Sequence, residues 1–166
     1  MNTSRKAVVL SMLIAIGIIF QLVESFFPVV MIVPGYKIGI SNIVGLFALY
    51  VYGSKEMAIV SLGRIFISSL LQGNLFSVAF LLSISGGILS LLAMSAAKKS
   101  DLFSIYGVSV MGACFHNVGQ VIAITWIYQQ YFMQLFLPIL MALSVVSGLC
   151  IALLTQQILI RLKGRI

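Results

Sequence analysis

The sequence is poor in charged residues, and acidic residues are the scarcest. Only 8% of its 166 positions are charged, and the acids are Glu24, Glu56 and Asp101. A soluble domain carries about 25% charged residues, so this chain has too few to cover a surface in water. The three acids stand in separate segments. A paired-carboxylate magnesium site for diphosphate chemistry is therefore not expected.

Other residues that carry chemistry are also scarce. One histidine and two cysteines, Cys114 and Cys150, form no metal-ligand spacing. The sequence contains no GxxxxGK[ST] nucleotide loop and suggests no Ser/His/Asp grouping. We therefore expect no cofactor, no metal, no nucleic-acid partner and no catalysis by this chain alone.

Long apolar runs, in contrast, fill the chain almost from end to end. Hydrophobic residues make up 61% of the sequence, and the mean hydropathy is +1.19. We expect an all-α membrane protein that forms a single transmembrane domain, residues 1–166, with membrane lipid around it. The predicted transmembrane helices are roughly residues 7–27, 38–53, 56–73, 75–97, 105–128 and 133–160. The second is short, so residues 28–37 are expected to dip into the mouth of this six-helix bundle.

Positive charges are distributed unevenly along the chain. With the N-terminus in the cytoplasm, Lys37 is the one basic loop residue outside, and the positive-inside rule then predicts a multi-pass cell-membrane protein with both termini cytoplasmic. The basic residues placed inside are Arg5, Lys6, Lys55, Lys98, Lys99, Arg161, Lys163 and Arg165. The first run is interpreted as a retained helix and not as a signal peptide. Trp126, Tyr128 and Tyr131 fit an aromatic belt at the outer surface.

Arg64 is the most costly residue to place in a membrane. A guanidinium near mid-bilayer costs from about 3 to more than about 10 kcal/mol, and such a residue usually faces a protein or water-filled interior. Ser61, Arg64, Ser68 and Gln72 follow one another at spacings of 3, 4 and 4, which places them on one helical face. We expect Arg64 to meet an anionic or carbonyl group of a ligand.

A second polar stripe lies on the fifth predicted helix, where Gly112, His116 and Gln120 share a face and Asn117 is one position away. The two stripes predict a cavity that opens to the outside and has a few polar groups placed in mostly apolar walls. Its expected substrate-binding residues are Glu24, Lys37, Asn42, Arg64, Gln72, Asn74, His116, Asn117, Gln120 and Trp126. Two plainer interpretations stay open: Arg64 pairs with Glu24 and only locks the bundle, or the polar residues of the fifth helix only bond neighbouring helices.

Small residues recur every four positions in three of the predicted helices. Ala7, Ser11 and Ala15 do so in the first, and similar runs occur in the fourth and sixth. Such faces let helices approach closely. The runs in the fourth and sixth helices are assigned to packing: Ser83, Gly86, Gly87 and Ser90, and Ser144, Ser147, Gly148 and Ala152. The first stripe fits packing or the docking of another membrane subunit.

Four segments together resemble the Gx transporter family, which is also described as heptaprenyl diphosphate synthase component I. They are P-G-Y-K-I-G-I-S-N-I, R-I-F-I-S-S-L-L-Q-G, S-I-S-G-G-I-L-S and G-A-C-F-H-N-V-G-Q, and the resemblance covers roughly residues 5–160. That family is similar to the substrate-binding S components of energy-coupling factor (ECF) transporters.

The resemblance implies a six-helix S component with an outward-facing pocket for a small molecule, such as a vitamin- or isoprenoid/quinone-related compound. Its partners would be a transmembrane scaffold subunit and two cytoplasmic ATPases. The docking face implied is Ala7, Ser11 and Ala15, where a serine replaces one alanine of an Ala-xxx-Ala pattern. The alternative is a non-catalytic membrane companion subunit of a heptaprenyl diphosphate synthase.

Overall fold

The computed structural model describes residues 3–26, 39–129 and 131–163, and over these residues the fold is entirely helical. The all-α prediction is confirmed, and six α-helices occur in the expected order. They are α1 (Thr3–Phe26), α2 (Asn42–Val51), α3 (Ser54–Leu71), α4 (Val78–Lys99), α5 (Ile105–Tyr128) and α6 (Leu137–Lys163). A short 3-10 helix, Tyr131–Phe136, leads into α6.

Four of the helices are long and apolar enough to cross a membrane, as a multi-pass membrane protein requires. These stretches are Ser4–Glu24, Val78–Lys99, Ile105–Tyr128 and Tyr131–Leu162. The helix α2 has only 10 residues, which rise about 15 Å, and α3 carries Lys55, Glu56 and Arg64 in its 18 residues. That all six cross the membrane stays a prediction, as does the placement of the termini.

The predicted second span, 38–53, is longer than the helix found there. The chain turns at Gly39, whose φ is +80°, and the Gly39 carbonyl accepts a hydrogen bond of 2.8 Å from the Asn42 amide, so α2 begins only at Asn42. At its other end Gly53, with φ +111°, makes the tight turn into α3. The loop predicted to dip into the bundle, 28–37, lies outside the described residues.

Contacts between helix ends show that successive helices alternate in direction. The contacts join Lys6 to Glu56, Lys98 to the carbonyl of Leu49, and Tyr106 to Gln156. The starts of α1, α3 and α5 therefore lie at the same end of the bundle as the ends of α2, α4 and α6. We call this the basic end, because seven basic residues lie on these helix termini: Arg5, Lys6, Lys55, Lys98, Lys99, Arg161 and Lys163.

The two halves of the bundle's length differ in what they bury. Near the basic end the core is apolar, and its most buried large side chains include Leu46, Leu49, Met57 and Val108. Toward the opposite end many buried side chains are polar. They include Gln21, Glu24, Ser41, Ser69, Asn117 and Ser144. Large exposed apolar side chains surround both halves, as expected where lipid is the solvent.

The closest helix contacts are in the α4–α5–α6 group, whereas α1 packs mainly on α3 and α2. The helices α4 and α5 meet backbone to backbone. A Cβ atom added at Gly119 would lie 2.7 Å from the Ser85 carbonyl oxygen and 2.8 Å from the Gly86 Cα. This contact therefore requires glycine.

We predict that Gly119→Ala destabilises the protein by about 1–3 kcal/mol, because backbone atoms must move to admit the methyl group. In an ordinary helix interior the same change is favourable by about 1 kcal/mol. Gly63→Ala is the matched control, since its Cβ would meet only the end of the flexible Ile14 side chain, at 3.2 Å. Unfolding in detergent measures both variants. Equal stability of Gly119→Ala and the wild type would contradict this packing.

Candidate functional site

Arg64 lies midway along α3 and is 5% exposed. It shares its buried face with Ser61 and Ser68. Its aliphatic part crosses the neighbouring helix α1 at Gly17, where an added Cβ atom would lie 2.9 Å from the Arg64 Cδ. The absence of a side chain at Gly17 thus gives the arginine its path between the two helices.

The guanidinium is only partly satisfied. Nη2 donates a hydrogen bond of 3.1 Å to Oδ1 of Asn42, at the start of α2. Nε and Nη1 are buried and have no hydrogen-bond partner among the residues that the structure describes. The Glu24 carboxylate stabilises the cation electrostatically, and it also accepts a hydrogen bond from the Gly39 amide. The charge is thus partly compensated, while donor groups stay unused.

These groups line a cavity of about 40 Å³ to which all six helices contribute. The α1–α3 side supplies Gln21, Glu24, Asn42 and Arg64. The α4–α6 side supplies Ser83, His116, Asn117, Ser144 and Ser147. Glu24 and Arg64 therefore lie across the cavity from the polar side chains of the α4–α6 group. We call the boundary between the α1–α3 and α4–α6 groups the seam. Since one buried water needs about 10–15 Å³ of cavity volume, this cavity has room for a few waters. A larger ligand requires the cavity to widen.

Asn117 has a structural role in addition to its place in the cavity wall. Its Nδ2 donates hydrogen bonds to Oγ of Ser144 at 2.6 Å and to the Leu140 carbonyl at 3.3 Å, both on α6. Ser144 Oγ in turn donates to the Leu140 carbonyl. The plainer interpretation of Asn117, a bond between helices, therefore applies to its amide nitrogen. His116 lies one residue earlier, against Gly86 of α4.

Four residues expected at the site lie elsewhere in the structure. Gln72 is exposed just after α3 ends, and its Nε2 donates to the Ser68 carbonyl at 3.1 Å. Asn74 lies in the α3–α4 turn with its Oδ1 buried, Gln120 packs beside Gly86, and Trp126 is 76% exposed. Lys37 lies outside the described residues. The structure thus gathers Glu24, Asn42, Arg64, His116 and Asn117 around one cavity.

Several cavity residues were not expected from the sequence. Gln21 lies in α1 between Gly17 and Glu24, and the spacings of 4 and 3 were a signal that these residues share a face. Ser83, Ser144 and Ser147 also line the cavity, although the sequence assigned them to close packing. Ala7, Ser11 and Ala15 are exposed on α1. Val8 and Met12 beside them are 60% and 61% exposed.

The four helices that are long and apolar enough to cross a membrane are consistent with a helical bundle of the multi-pass membrane class, here with a polar cavity around a buried cation. Its sequence then gives the family: residues 13–158 match the family described as heptaprenyl diphosphate synthase component I, and the chain belongs to it. This confirms the resemblance to that family noted in the sequence, whereas the similarity to S components stays a prediction. No curated protein and no solved structure matches the chain.

We predict a measurable energetic coupling between Asn117 and Ser144. A double-mutant cycle of Asn117→Ala and Ser144→Ala should give about 0.6 kcal/mol, and up to about 1.7, as for hydrogen bonds between membrane helices. The control cycle pairs Asn117→Ala with Ser90→Ala, because the Ser90 hydroxyl bonds the Met94 sulfur of its own helix, α4. Unfolding in detergent provides the energies. A coupling no larger than the control would contradict the assigned bond.

Proposed function

We propose that this protein captures a small anionic molecule in the Arg64 cavity and serves as the substrate-binding subunit (S component) of an energy-coupling factor type importer. The observation that carries this proposal is the pair of buried Arg64 donors, Nε and Nη1, at a polar cavity. Leaving a buried donor unsatisfied costs about 1–3 kcal/mol, and more for a charged group. A ligand oxyanion or carbonyl oxygen would remove this cost.

The remaining cavity groups support recognition of a polar ligand head. Glu24 lies on the same side of the cavity as Arg64 and limits the net positive charge there. Ser83, His116 and Ser147 lie on the opposite side and would orient the ligand through hydrogen bonds. A vitamin- or isoprenoid/quinone-related compound with an acidic or carbonyl group fits this division, provided that the α1–α3 and α4–α6 groups separate to admit it.

The transport part of the proposal relies on the surface of α1 and on the distribution of charge. Ala7, Ser11 and Ala15 form an exposed stripe of small residues on which a transmembrane scaffold could dock, with two cytoplasmic ATPases below it. By the positive-inside rule the basic end faces the cytoplasm. All six helices then cross the membrane, both termini are cytoplasmic, and the Arg64 cavity lies in the outer half.

We further propose that the chain has no catalytic activity of its own. Its three acidic residues have different surroundings: Glu24 lines the cavity, Glu56 is bonded to Lys6, and Asp101 is exposed after α4. Over the described ranges no three His, Cys, Asp or Glu side chains are grouped as metal ligands.

A second candidate function follows from the family description, which names a heptaprenyl diphosphate synthase component. In this case the chain would be a non-catalytic membrane companion of a soluble prenyl synthase. The Arg64 cavity would then have a structural role or would bind a compound related to that reaction.

Arg64→Gln should reduce ligand retention tenfold or more, because a hydrogen bond to a charged group contributes about 1.5–3 kcal/mol. Arg64→Lys should give an intermediate loss. Mass spectrometry of the small molecules retained by protein purified in mild detergent measures this effect. Arg161→Gln, which removes an exposed cation on α6, is the control. Wild-type retention by Arg64→Gln, with normal unfolding behaviour, would refute ligand binding by Arg64.

Purification from native membranes should recover a transmembrane scaffold with ATPases, and Ser11→Trp should abolish this recovery, because the indole fills the small-residue face. The control is Leu92→Trp, which alters a 64% exposed position on α4. Mass spectrometry of the co-purified proteins distinguishes the two functions. Recovery of a soluble prenyl synthase without the ATPases would reject the importer and support the companion subunit.

A further inference from the structure

A second and larger hollow lies at the basic end, away from the Arg64 cavity. It is an apolar groove of about 600 Å³ between the end of α2, the start of α5 and the end of α6. Its walls are formed mainly by Tyr50, Val51, Ile105, Leu159 and Ile160. Within the described part of the chain, the groove and the Arg64 cavity have no lining residue in common. The proposed import function makes no use of this groove.

A hollow of about 370 Å³ that two lysines line, here called the lysine hollow, adjoins the groove. It lies between the α2–α3 turn and the end of α4, and its lining includes Ser54, Ser95, Lys98 and Lys99. The two spaces meet at Lys98, whose Nζ lies 4.9 Å from the centre of the Tyr50 ring. Lys98 lines the lysine hollow and Tyr50 lines the apolar groove. A space with cationic side chains in its wall therefore borders an apolar one.

The charges around these two spaces are mainly positive. Lys98 and Lys99 lie on one side, and Arg161 follows the groove residue Ile160 on the other. Glu56 is bonded to Lys6 at the same end, and Asp101 is exposed beyond α4. Among the described residues the rim thus has three cations against one free-standing acid. An occupant with a negative charge would be complementary to this excess of positive charge.

We propose that the basic end binds an anionic phospholipid from the adjoining leaflet. The phosphate lies against Lys98 and Lys99 in the lysine hollow, and one acyl chain lies in the groove between Tyr50 and Leu159. Basic pockets between membrane helices are sites for anionic lipid headgroups, and each nearby lysine contributes about 1 kcal/mol, or about fivefold in affinity. The groove has the volume of an ordinary ligand pocket, about 300–1,000 Å³.

The proposal is tested by titrating the detergent-solubilised protein with phosphatidylglycerol and with phosphatidylcholine that carries the same acyl chains. Native mass spectrometry counts the bound lipids, and the unfolding temperature reports binding to the folded protein. Phosphatidylglycerol should bind at least tenfold more tightly. Lys99→Gln should weaken its binding about fivefold, and the double variant Lys98→Gln/Lys99→Gln should weaken it further.

Two more variants separate the contribution of the lipid acyl chain from that of the headgroup charge. Leu159→Trp fills the groove but keeps every cation, so it should also lose phosphatidylglycerol. Lys55→Gln removes an exposed cation at the same end that lines neither space, and it should bind as the wild type does. Because Lys98 also bonds the Leu49 carbonyl, Lys99→Gln and Leu159→Trp keep the test valid if the double variant misfolds.

Three results would overturn the proposal. They are equal binding of the two lipids, equal losses in Lys55→Gln and Lys99→Gln, and displacement of phosphatidylglycerol by an equimolar polyprenyl diphosphate. The last result would assign the site to a prenyl diphosphate instead of a phospholipid. None of these results depends on Arg64, so the outcome is independent of the proposed importer.

Discussion

The buried guanidinium of Arg64 is the constraint on which this structure depends. A cation inside an apolar bundle must be compensated locally, because neither lipid nor an apolar core can solvate it. Two neighbouring helices contribute: α1 leaves room at Gly17 and supplies the negative charge of Glu24, and the start of α2 supplies the side-chain oxygen of Asn42. This compensation is incomplete, since Nε and Nη1 of Arg64 have no hydrogen-bond partner among the described residues. A polar cavity next to them is the physical consequence.

This constraint also explains how the bundle is divided. The apolar core near the basic end holds α2 and α3 against α4–α6 through side chains such as Leu46, Leu49 and Met57. In the other half, serines and amides occupy the seam between the two helix groups. Apolar packing is non-directional, whereas hydrogen-bonded groups can exchange partners with water or with a ligand. Widening the cavity of about 40 Å³ therefore disturbs the half of the seam that has fewer apolar contacts.

Much of the fold could be predicted from helical periodicity, and less of the site. The spacing of Ser61, Arg64 and Ser68 placed them on one buried face. The same spacing could not predict that α3 ends at Leu71 and leaves Gln72 exposed. Serines were harder to assign. Ser144 bonds the carbonyl one turn earlier, so in sequence it is compatible with packing and with lining a cavity. Which helix lies opposite another depends on close contacts such as Gly119 against Gly86, and periodicity contains no information about these pairs.

The family description and the arrangement of charges can be reconciled through binding. A synthase that acts on prenyl diphosphates needs several carboxylates placed together for its metal ions. Here Glu24 stabilises the Arg64 cation, and Glu56 is bonded to Lys6. Each of these two carboxylates therefore compensates a positive charge. The cationic groups, in contrast, can still bind anions: two Arg64 nitrogens have no hydrogen-bond partner among the described residues, and Lys99 lines the lysine hollow at the basic end. In both proposed assemblies, with a transporter or with a synthase, these cationic groups support our proposal that the chain holds anionic molecules while its partners supply the chemistry.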